Sequence, residues 1–77
     1  MILQPVRKLS FSASGNRYNF EIDVDLQREK AEEIVAILED EGLEPELGNL
    51  PMKRIMLVAS GTIRPVGMRR ITEVLAA

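Results

Sequence analysis

The sequence predicts an α+β fold, a small two-layer sandwich with an antiparallel sheet carrying two helices on one face. Three observations carry that expectation. Residues 18–24 alternate apolar and polar without a break, the period of a half-buried strand. Residues 26–41 place apolar side chains at helical spacing between a candidate cap, Asp25, and a glycine stop, Gly42. A second helical stripe opens at Pro65, whose fixed φ and missing N–H suit the first position of a helix.

Taken in order, residues 6–24 read as a β-hairpin. Leu9, Phe11 and Ala13 alternate with Lys8, Ser10 and Ser12, and Ser14-Gly15-Asn16 supplies a tight turn. The first helix turns Leu26, Ala31, Ile34, Val35 and Leu38 to one side and most of its acids away. Glu39, Asp40 and Glu41 crowd its C-terminal end, where the helix dipole disfavours negative charge, so helix stability does not account for them. Residues 43–47 are expected to form a short edge strand containing Pro45, followed by a turn at 48–51. The alternative is a plain loop there, which leaves a three-stranded ββαβα fold. Residues 53–59 form a basic start and an apolar run, as in a central strand, and the last helix uses Met68, Ile71, Val74 and Leu75. The expected core comprises Phe11, Tyr18, Phe20, Ile22, Ile34, Leu38, Val58, Ile71 and Leu75.

With hairpin, helix, hairpin, helix as the element order, the strand order 1-2-4-3 satisfies the connection rules. That plan resembles a circular permutation of the ferredoxin-like βαββαβ arrangement. The resemblance is one of topology alone.

The 77 residues suffice for one domain with a modest core. Cysteine is absent, which excludes disulfides and thiolate metal sites and points to a reducing, cytoplasmic setting. Residues 1–8 hold no apolar stretch of signal-peptide length, and the longest apolar run, Ile55 to Ala59, is too short to cross a membrane. A net charge of -2 conceals an asymmetry. From Glu21 to Gly48 eleven acids face two bases, whereas the rest of the chain carries eight bases and one acid. Such a distribution orients a molecule against a charged partner, although an acidic, solvated helix face accounts for much of it.

Catalytic chemistry is not expected. Histidine and cysteine are both missing, and with them the commonest activated nucleophiles and bases at neutral pH. No phosphate-binding loop, dinucleotide fingerprint or zinc spacing occurs. Glu21, Asp23 and Asp25 share one strand face but lack the further ligands and glycine of a calcium loop. No cofactor or metal is called for.

Three candidate sites remain. The segment Ser60 to Gly67 leads into the second helix, where free N–H groups attract anions, and Gly61, Thr62 and Arg64 are its candidate ligands. Arg69 and Arg70 lie off the apolar stripe and with Arg64 make a candidate basic patch. Ile55 and Leu57 are expected on the helix-free sheet face, with Met56 and Val58 beneath the helices. Two large apolar groups on an open face call for a cover. The function expected on these grounds is a small non-enzymatic protein-interaction or regulatory module binding a protein partner or itself, in the latter form a homodimer through the open sheet face. Partner-binding residues are then Ile55, Leu57, Arg64, Arg69 and Arg70. The alternatives are a nucleic-acid-binding domain using the basic patch and a small-anion-binding regulatory domain. Against nucleic acid, Phe11, Tyr18 and Phe20 share the parity of core residues and offer no stacking platform.

Overall fold

Strand alternation and two glycine-dependent turns set the framework. A computed structural model describes residues 6–77, with side chains from Lys8 onward; residues 1–5 and the Arg7 side chain, part of the basic set above, lie outside it. Its elements are β1 (Val6–Ser14), β2 (Arg17–Gln27), α1 (Arg28–Asp40), β3 (Glu46–Leu50), β4 (Arg54–Ile63) and α2 (Pro65–Ala76). The sheet order is β1-β2-β4-β3, antiparallel throughout. Both helices cover one face, giving the ferredoxin-like two-layer sandwich in permuted order. Because Glu46–Leu50 pairs with β4, the described residues form a sheet of four strands and not three.

The β1–β2 hairpin closes on a two-residue loop between paired Ser14 and Arg17, with Gly15 at φ 64°. Positive φ at the first loop position alone is the type II′ pattern, which matches strand twist. Beyond Val24 the strand continues where a helix was expected. Leu26 keeps the buried parity of Phe20, Ile22 and Val24 and pairs with Ile55. Asp25 is therefore not the cap; its carboxylate accepts a 2.6 Å hydrogen bond from Arg54 Nε, and Gln27 occupies the N-cap position without a side-chain bond.

The stop of α1 is as the sequence predicts. Gly42 adopts φ 83°, its N–H donates to the Glu39 carbonyl, and the Leu43 N–H donates to that of Leu38. This crossed pair satisfies carbonyls left open at a helix end. The next strand falls later than expected, at Glu46–Leu50, and the chain reverses at Pro51–Lys53 with Met52 at φ 63° and Lys53 at φ 61°. Left-handed backbone at non-glycine residues is costly, at about 1–2 kcal/mol each, so the β3–β4 pairing has to hold this turn in place.

The core is built from Phe20, Ile22, Val24 and Leu26 of β2, Ile55, Leu57, Ala59 and Ile63 of β4, and the inner faces of the helices, chiefly Ala31, Ile34, Ile37, Leu38, Met68 and Ile71. This corrects the expected parity of β4. Ile55 and Leu57 are 7% and 0% exposed and lie under the helices, while Met56 and Val58 are half-buried on the open face. Partners opposite each other in a sheet share a face, and Ile55 and Leu57 stand opposite Leu26 and Val24. Phe11 is also corrected, at 53% exposure. It lies opposite Phe20 on the helix-bearing face, but β1 is an edge strand at the margin of the helix layer. Tyr18 and Leu75 are half-buried against the core.

Candidate functional site

The entrance to α2 behaves as an anion site, and the anion is the chain's own. Arg64 is the N-cap residue of α2. Its backbone N–H donates to Glu41 Oε1 at 3.0 Å, and its guanidinium reaches both carboxylate oxygens, the shortest contact being 2.6 Å from a terminal nitrogen to Oε2. The Glu41 side chain is only 1% exposed. Glycine at position 67 permits this approach, because a Cβ there would lie 2.7 Å from Glu41 Cδ. The hydrogen bonds from the Arg64 side chain hold the Glu41 carboxyl below its ordinary range against the opposing effect of burial. In turn they push the Arg64 guanidinium up.

The acids at the end of α1 thereby acquire a reason. Glu41 supplies the charge that the α2 terminus attracts, and Asp40 lies 3.8 Å from Arg64 and 3.4 Å from Arg70. Each side chain is unfavourable for its own helix and favourable for the next. The sequence showed the acids and the arginines separately, and nothing in their spacing joined them.

These contacts rearrange the candidate residues. Gly61 and Thr62 belong to β4, opposite Phe20 and Asn19, so they form no loop around a ligand. At Gly61 the backbone has φ 150°, and a Cβ would meet Leu43 Cδ2 at 2.3 Å; the glycine makes room for the side chain that follows the α1 stop. Of the three arginines, Arg64 and Arg70 are tied to acids, whereas Arg69 is exposed beside a shallow groove with Phe11, Tyr18 and Met68. The arrangement is a cation–anion mosaic. Ile55 and Leu57 are core residues and leave the candidate interface.

The helix-free sheet face takes their place. Around half-buried Met56 and Val58 stand Asp25 and Asp23 on β2, and Gly48 and Glu46 on β3, each directly opposite one of the two. Leu50 is half-buried and stands opposite Arg54 on the same face. Arg54 also donates at 2.9 Å to the Asp25 carbonyl, and Lys8 pairs with Glu21 at 2.7 Å farther along the face. Gly48 contributes no side chain, so the Met56 flank is open. The result is an apolar centre with acids at its sides. Among the described residues no group of three His, Cys, Asp or Glu is placed to hold a metal ion, and no helix is long and apolar enough to cross a membrane.

No family model matches the chain, and comparisons with curated proteins and with solved structures gave no match.

Proposed function

We propose that this chain is a small non-enzymatic protein-interaction module that docks a protein partner on the helix-free face of its sheet. The observation that carries this reading is Met56 and Val58 side by side at the middle of that face, flanked by Leu50 and by Asp23, Asp25 and Glu46. A fitting partner presents an apolar patch of its own with a basic residue placed to meet Glu46, so that hydrophobic burial supplies affinity and charge sets orientation. A non-enzymatic role is supported by the sequence's lack of histidine and cysteine. Glu41 and Arg64 hold each other in their charged forms within one ion pair. The lack of cysteine fits a reducing, cytoplasmic setting, and a regulatory role fits a domain whose surface binds without transforming.

The test is comparative capture from the native host. Met56→Lys/Val58→Lys is expected to fold with wild-type circular dichroism and to lose a protein that the wild type retains, and that retention should weaken with salt. An identical set of captured proteins for wild type and double variant would rule out this face.

A further inference from the structure

We propose that β1 is a self-pairing edge, through which two copies join antiparallel about Phe11 to make one continuous sheet. This rests on the reading of the chain as a protein-interaction module, but it assigns a different surface and names the partner, a second copy.

The argument starts from the pattern of β1. Its inner side pairs with β2, and among the described residues its outer side has no neighbouring strand. A register shift between Val6 and Lys8 limits the regular ladder to Lys8–Ser14. That segment is self-complementary about Phe11. Reversed onto itself, it places Leu9 opposite the partner's Ala13, Ser10 opposite the partner's Ser12, Phe11 opposite the partner's Phe11, and Lys8 opposite the partner's Ser14. Apolar residues thus meet apolar residues on the helix side, and small hydroxyls meet on the other, with no like charges directly opposed. The β3 edge fails the same comparison. Turned about Gly48, it sets Leu47 against Asn49 and Glu46 against Leu50.

Backbone phase agrees. A two-residue hairpin loop closes on a hydrogen-bonded pair, here Ser14 and Arg17. By alternation, Ser14, Ser12 and Ser10 turn their N–H and C=O groups toward β2, and Ala13, Phe11 and Leu9 turn theirs outward. Those three positions match one another under the two-fold axis, so each pair across it exchanges both backbone bonds. An exposed edge of this kind is a template for strand addition unless charge, proline or a bulge blunts it, and Lys8–Ser14 carries only the one charge at its end.

Phe11 supplies the apolar contact. In the single chain its ring stands edge-on to Tyr18 at 5.6 Å, beside a groove lined by Met68 and Thr72 of α2, and it remains 53% exposed. Across the two-fold axis the two Phe11 Cα atoms lie about 5.5 Å apart, as in any hydrogen-bonded antiparallel pair. The aromatic layer then runs unbroken from one copy to the other.

Sedimentation equilibrium of the full chain tests the pairing. The expected wild-type mass is twice 8.6 kDa, falling toward 8.6 kDa on dilution. Phe11→Lys and Ser10→Lys/Ser12→Lys should remain folded by circular dichroism and weaken dimerisation at least about tenfold, since both set lysines against lysines across the edge. Ser10→Lys/Ser12→Glu carries opposite charges to each rung in this register alone and should dimerise at least as well as wild type. Monomeric wild type at millimolar concentration would overturn the proposal, as would equal dimerisation by the two charge variants. Met56→Lys/Val58→Lys separates the two surfaces, because it should keep the dimer while losing the captured partner. If it loses the dimer and the β1 variants keep it, the second copy sits on the open face and β1 is not the pairing edge.

Discussion

Glu41 reaches from the end of α1 to Arg64 at the start of α2, and its buried carboxylate accepts both the backbone N–H and the guanidinium of that residue. One side chain thus closes the junction between the two helices and fills a terminus that would otherwise attract an outside anion.

Glu41→Gln is expected to lower the urea midpoint at neutral pH and to flatten its acid dependence. The folded carboxyl titrates below its ordinary value of 4.5. Its contribution is therefore fully present above that value and is lost as pH falls through the lower, folded pKa. Urea titrations of both proteins from neutral pH down through that range measure the difference. Parallel curves would show that Arg64 does not stabilise the ionised form.

At Gly61, alanine should destabilise by about 1–3 kcal/mol, the usual range for overpacking. The added carbon collides with Leu43 at a backbone angle that L-residues rarely adopt. Leu43→Ala removes the collision and leaves the backbone strain. The double variant should accordingly recover part of the loss, giving a non-additive cycle. Strict additivity in urea melts would mean that the two residues do not touch.

Neighbouring lysine substitutions on β4 should have opposite outcomes. Leu57 is fully buried, and Leu57→Lys forces an unpaired ammonium into the core at a cost of several kcal/mol, comparable with the whole stability of a domain this small. Val58→Lys places its charge on the open face between Asp23 and Glu46 and should leave the melting temperature nearly unchanged. Thermal melts of the pair measure the β4 parity directly.

The two phenylalanines that face each other across the hairpin should also separate. Phe20→Ala is expected to cost about 3–5 kcal/mol, since that ring is 3% exposed in the core. Phe11→Ala should cost under about 1 kcal/mol in the isolated chain, because half of the ring already faces water. If dimerisation through β1 holds, Phe11→Ala weakens association while the fold survives, whereas Phe20→Ala loses both together.

Elements whose signal is local are legible in the order of the residues. Alternation from Tyr18 to Val24 was enough to orient β2, because a strand with polar residues at every second position has one face to bury. Gly42 and Pro65 marked a helix end and a helix start through backbone conformations their neighbours cannot supply, and the strand order followed from the connection rules once the elements were named. Packing between distant segments set whatever lacked such a local asymmetry. The run Ile55 to Ala59 is apolar on both faces, so its parity came only from the register that sets Leu57 against Val24 and Met56 against Asp25. Asp25 has the chemistry of a helix cap, but Arg54, distant in the chain, offered its carboxylate a stronger, charged donor. β3 has almost no alternation, and pairing with β4 placed it. Glu41 and Arg64 lie 23 residues apart, and only the packing of α1 beside α2 brings the two charges into contact, since an ion pair depends on distance in space and not on distance along the chain.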